Sequence, residues 1–155
     1  MFADMSAATR EPVGEAEAQA AIARLEEMSP DLRGCAILDP EGRALAASGE
    51  ARRWADAGAA LLAAADEGGD EPASEVHVAT DEGEAFAVRH QGLAMVAVAE
   101  RFALGALMVF DMRAALRGLA EGRADAGGRS VAVGAGANPG SELLRAAARL
   151  IEAAG

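Results

Sequence analysis

The chain has 155 residues, 52% of them hydrophobic but only 3% aromatic, so small side chains must fill its interior. That length suits one domain with a true core plus a tail. Its 25 acidic residues against 14 basic ones give a net charge of −11, which argues against nucleic acid and anionic membrane surfaces, whose phosphates need a basic partner.

Residues 1–13 are expected to be disordered; the opening MFADMSAATREPVG lacks the apolar core of a signal peptide. Glu15 to Met28 reads as a helix, with Ala18, Ile22, Leu25 and Met28 near the helical period and acids in the first turn. Pro30 closes it, because the residue before a proline avoids helical angles. Cys35 to Leu38 and Arg43 to Ala47 are short strands joined by Asp39-Pro40-Glu41-Gly42, which has the residues of a tight turn. Arg52 to Glu67 reads as a second helix, with Trp54, Gly58, Leu61, Leu62 and Ala65 on one stripe.

Three strands follow, Glu75 to Thr80, Glu84 to His90 and Leu93 to Ala99, with Asp81-Glu82-Gly83 and Gln91-Gly92 as their turns. The third, LAMVAVA, is apolar throughout and belongs inside the sheet. Phe102 to about Gly122 reads as a helix, with Leu104, Met108, Met112, Ala115, Leu116 and Leu119 on its stripe. A strand over Leu104 to Phe110 is the competing reading. Ala103, Ala106 and Phe110 fall on the opposite side, so the first half of this helix is apolar all round and needs further cover. The domain therefore spans 14–122. An Ala/Gly-rich linker is expected over 123–140, and an amphipathic helix over 141–155 with Leu143, Leu144, Ala147, Leu150 and Ile151 on one face. Alone that helix is marginal. It is expected to dock on its own domain or on a second copy, with Leu143, Leu150 and Ile151 near Phe110.

The order helix, two strands, helix, three strands, helix resembles the roadblock (dynein light chain 7) family. The resemblance covers Glu15 to Gly122. It is carried by GCAILDPEGRALAASG, the block ending LAMVAVA, and FALGALMVFDMRAALRGLA. It implies an α/β fold with a five-stranded, mostly antiparallel sheet and helices on its faces. It also implies a non-catalytic adaptor or regulator of a small Ras-like GTPase, acting as a homodimer or heterodimer. By the same resemblance the dimer contact would involve the helix Arg52–Glu67 and the strand Glu75–Thr80. The open edge of that strand supports pairing on physical grounds as well. The interface residues expected are Trp54, Leu61, Leu62, Val76, His77, Val78 and Phe110.

Catalytic and metal sites are not expected. Cys35 is the single cysteine and lies in an apolar strand, where it acts as a small hydrophobe. Counted through a three-residue turn, His77 and His90, the two histidines, fall on opposite faces of the sheet and cannot share a metal. The acids Asp39, Glu41, Asp81, Glu82 and Glu84 read as turn and surface residues. No GxxxxGK[ST] loop occurs, so the chain is not itself the GTPase. Gly134, Gly136 and Gly140 have the wrong spacing for a dinucleotide loop. No cofactor is expected, nor any membrane insertion, since no run of 18 apolar residues occurs. A cytoplasmic, bacterial protein is expected, and the Ala-, Gly- and Arg-heavy composition reads as a genome bias. The alternative function is a small-molecule sensor with a pocket between sheet and helices.

Overall fold

The computed structural model describes residues 13–119, 129–134 and 142–154. Its elements are α1 (Glu15–Met28), β1 (Leu32–Leu38), β2 (Ala44–Ala47), α2 (Ala51–Asp66), β3 (Ala73–Thr80) and β4 (Gly83–His90). There follow β5 (Leu93–Ala99), α3 (Gly105–Leu119), β6 (Arg129–Val133) and α4 (Glu142–Ala154). The segment from Phe102 is thus helical, as preferred over a strand. The expected disorder of residues 1–13 falls, apart from Val13, outside the described residues.

The strands form one sheet in the order β2-β1-β5-β4-β3-β6. All neighbours are antiparallel except β3 and β6, which run parallel with Val76 opposite Val131 and Val78 opposite Val133. The sheet has six strands where five were expected. The sixth comes from the segment read as a linker: Val131 and Val133 pack inward while Ser130 faces solvent. The hairpin turn behaves as its residues dictate. Asp39 Oδ1 accepts from the backbone N–H of Glu41 and of Arg43, each at 2.9 Å, and Gly42 supplies a φ of 86°.

Helices cover both faces of the sheet. On one face α2 and α4 bury Trp54, Leu61, Leu150 and Ile151 against Leu38, Val76, Val96 and Val98. On the other, α1 and α3 bury Ile22, Leu25, Met108, Met112 and Leu116 against Cys35, Ile37, Phe86, Val88 and Met95. Alternation along β1, β4 and β5 feeds both cores, which is why these strands are buried almost throughout.

The C-terminal helix docks on its own domain, but not where expected. α4 lies on α2, with Arg53 Nη2 donating to the carbonyl of Glu152 at 3.3 Å. Phe110 belongs to α3, on the far side of the sheet, and stays 67% exposed. Both faces of the sheet are apolar, so the apolar face of α4 did not by itself specify its side.

Candidate functional site

Five of the seven expected interface residues are interior. Trp54, Leu61, Leu62, Val76 and Val78 are buried within the chain. α4 covers α2, and β6 occupies the edge of β3 that was read as open. His77 and Phe110 alone keep a surface, on the side of α3.

The histidine geometry also departs from the reading above. The β3–β4 turn has two residues, since Thr80 pairs with Gly83. Gly83 therefore begins β4, and the parity of every later residue reverses. His77 lies opposite Phe86, and their rings stack at 4.4 Å with an angle of 12°. His77 and His90 consequently share a face, yet His90 lies four residues beyond Phe86, a displacement of roughly 13 Å along the strand. Among the described residues no group of three or more His, Cys, Asp or Glu is placed to hold a metal.

Glu84 shares the face of Phe86 and Val88 and is an interior residue, 6% exposed. Its two oxygens have different tasks. Oε1 lies 2.7 Å from His77 Nε2, and Oε2 accepts the backbone N–H of Phe102 at 2.6 Å. Glu84 thus meets the His77 ring through Nε2 with one oxygen and the backbone at Phe102 with the other. Phe102 takes a left-handed φ of 66°, a conformation that costs a non-glycine residue energy and needs such a tether. Gly105 follows, where a Cβ would stand 2.6 Å from His77 Cε1. Glu84, His77 and Gly105 together fix how α3 starts. The signal was present in EAFAV: Glu84 stands two and four residues before Phe86 and Val88 and so shares their face.

This start throws apolar side chains outward. Phe102 is 82% exposed and Leu104, expected on the buried stripe, is 72% exposed. Helix α3 begins three residues later than the pattern suggested, which removes Leu104 from the packed stripe. Beside it a groove of about 410 Å³ runs between Gly105, Ala106, Val109 and Phe110 on α3 and His77 and Ala132 on the sheet. At its end Arg113 pairs with Glu75, which also accepts from Ser130 Oγ at 3.2 Å, tying α3, β3 and β6 together.

A second cleft of about 590 Å³ lies on the other face, between α2, the Asp39–Gly42 turn and the β4–β5 turn. Arg89 and Asp66 form a two-pronged pair on its wall, at 2.7 and 3.0 Å, and the bond from Arg89 holds the Asp66 carboxyl below its usual range. Cys35 is closed off from both cavities, and burial pushes its thiol up to about 12. A thiol so placed stays protonated and is no nucleophile at neutral pH.

The sheet with helices on both faces matches known structures. A Roadblock/LC7 domain from Streptomyces avermitilis superposes with a TM-score of 0.52 at 20% identity, over 64% of this chain and 92% of that one. Myxococcus xanthus MglB gives 0.56 at 13% identity, over 72% and 90%. The domain is roadblock-like. A further structure, MglB with a tetrameric arrangement, gives 0.54 at 16% identity, over 71% and 90%. No protein-family model matches the sequence, and neither does any curated protein. Within the roadblock-like domain described here, β6 and α4 cover β3 and α2. No helix of the described residues is long and apolar enough to cross a membrane.

Proposed function

We propose that this chain is a non-catalytic, cytoplasmic adaptor or regulator that binds a small Ras-like GTPase. The observation that carries the reading is the roadblock-like fold, matched over about nine-tenths of the length of a Roadblock/LC7 domain and of MglB. The buried, protonated Cys35 is in keeping with a binding role. Regulation then works by differential affinity: a rigid surface that fits one nucleotide state better shifts its partner toward that state. Nucleotide-dependent binding to purified Ras-like GTPases tests it.

Self-association is part of the proposal, and the fold constrains its form. The β3 edge and the α4-covered side of α2 become available only when β6 and α4 leave them. The homodimer that suits this surface is an exchanged one, in which β6 and α4 of one copy cover the other. A chain ending at Leu119 exposes the β3 edge and the α2 face directly, and sedimentation should show it self-associating at micromolar concentration.

A second reading has one observation in its favour. The cleft of about 590 Å³ beside Arg89 and Asp66 has the size of small-ligand pockets. A sensor of small molecules would show a ligand-dependent rise in Tm that mutation of Arg89 removes.

A further inference from the structure

The five exposed large hydrophobic side chains of the described residues are Met28 at 50%, Phe102 at 82%, Leu104 at 72%, Leu107 at 53% and Phe110 at 67%. They are not scattered. All belong to the end of α1, the lead-in to α3 and the first two turns of α3. Single exposed apolar residues are ordinary, but a cluster of this kind marks an interaction surface. The chain's own amphipathic helix does not cover it, because α4 packs on the opposite face of the sheet.

The surface has a chemical signature besides its apolarity. Where α1 ends against α3 there is a small notch of about 70 Å³, walled by Met28, Leu104, Leu107 and Met108 and flanked by Asp31 and Asp111. Asp111 accepts from Ser29 Oγ at 3.5 Å. Neither acid belongs to an ion pair among the described residues, whereas Glu75, Glu84, Glu100 and Asp66 each have a basic or imidazole partner. Apolar walls ending in two unpaired carboxylates suit a long basic side chain, which lays its aliphatic stem on apolar surface and presents its charge at the tip. A second copy of this chain is a poor occupant. A symmetric contact at this surface would bring the same carboxylates, Asp31 and Asp111, against each other.

We propose that this surface docks a basic amphipathic segment of a partner protein. Its apolar side chains lie on Leu104, Leu107 and Phe110, and an Arg or Lys seats in the notch between Asp31 and Asp111. The Glu84 tether gives the surface its rigidity, since it fixes the left-handed turn at Phe102 from which the patch projects. The proposal rests on the reading of the chain as a binding module and not on the partner's being a GTPase.

The test is a phage-displayed library of random peptides about 15 residues long, some four helical turns. It is selected on the full chain and counter-selected on the Leu107→Ser/Phe110→Ser variant, whose changes are at the surface. The peptides retained should carry Arg or Lys within an apolar pattern of helical spacing. As synthetic peptides they should lose about tenfold or more in affinity for Asp31→Asn/Asp111→Asn. Asp56→Asn/Asp70→Asn, which removes the same charge elsewhere on the surface, should leave affinity unchanged. Retained peptides that are acidic or purely apolar, equal losses in both charge variants, or no specific peptide at all would overturn the proposal. So would a full-length dimer that Leu107→Ser/Phe110→Ser dissolves, since a second copy would then be the occupant. A chain that selects basic peptides here but binds no GTPase keeps this inference and loses the GTPase reading.

Discussion

Leu150→Ala tests how the C-terminal helix is held. Leu150 is fully buried between α4, α2 and the sheet. Truncating a buried leucine to alanine removes about 2–5 kcal/mol, depending on how far the site can collapse. α4 is one 13-residue element near the end of the described chain, and it can settle inward more readily than a central strand. The lower part of the range, about 3 kcal/mol, is therefore the expected loss. For a domain of this size that corresponds to a fall in Tm of roughly 6–12 °C. Urea denaturation and calorimetry measure the loss, and hydrogen exchange locates it. Protection should fall in α2, which α4 covers, and not over 102–110. Phe110→Ala, at a position 67% exposed, should cost under about 0.5 kcal/mol. If Leu150→Ala also costs less than about 0.5 kcal/mol and leaves α2 exchange unchanged, the docking of α4 is wrong.

Two further outcomes follow from the buried groups. Gly105→Ala should destabilise by about 1–3 kcal/mol through overpacking, because the His77 ring it meets is held by Glu84 and by the stack on Phe86. In a His77→Ala background most of that cost should vanish, and an additive double-mutant cycle would show the contact to be absent. Cys35 titrates from an ordinary 9.0 up to about 12 in the fold. A raised acid keeps its full contribution below the unfolded value and loses it as pH climbs toward the folded one. Stability should fall by about 1 kcal/mol between pH 9 and 10, and Cys35→Ala should flatten that slope. The chain has no Lys or Tyr to blur this window, so an unchanged slope in Cys35→Ala would refute the assignment.

The hairpin, both flanking helices and the buried strand LAMVAVA were legible because periodicity and turn residues agree there. β6 was not. RSVAV is five residues inside an Ala/Gly run, and its partner β3 lies some fifty residues upstream in a parallel pairing that no local turn announces. The face of His90 relative to His77 was misread through the assignment of Gly83 to the turn. The burial of Glu84 was missed because it was read as a turn acid, although it shares the parity of Phe86 and Val88. Leu104 was placed on the packed stripe because helical period fixes which residues share a side. The late start of α3 is set by the Glu84–Phe102 bond, a contact across 18 positions that no local pattern contains. Of the expected interface, the apolar character of every residue but His77 was legible. Whether the chain covers it was not, since five of the seven are covered by the chain's own core, β6 or α4.

The proposed function is binding to a small GTPase. Its most direct measurement is the affinity of the full chain for Ras-like GTPases loaded either with GDP or with a non-hydrolysable GTP analogue. Binding to at least one of them is expected, with about a tenfold or greater preference between its two nucleotide states, equivalent to about 1.4 kcal/mol of differential affinity. No binding to any of them, or equal affinity for both states of every one, would contradict it.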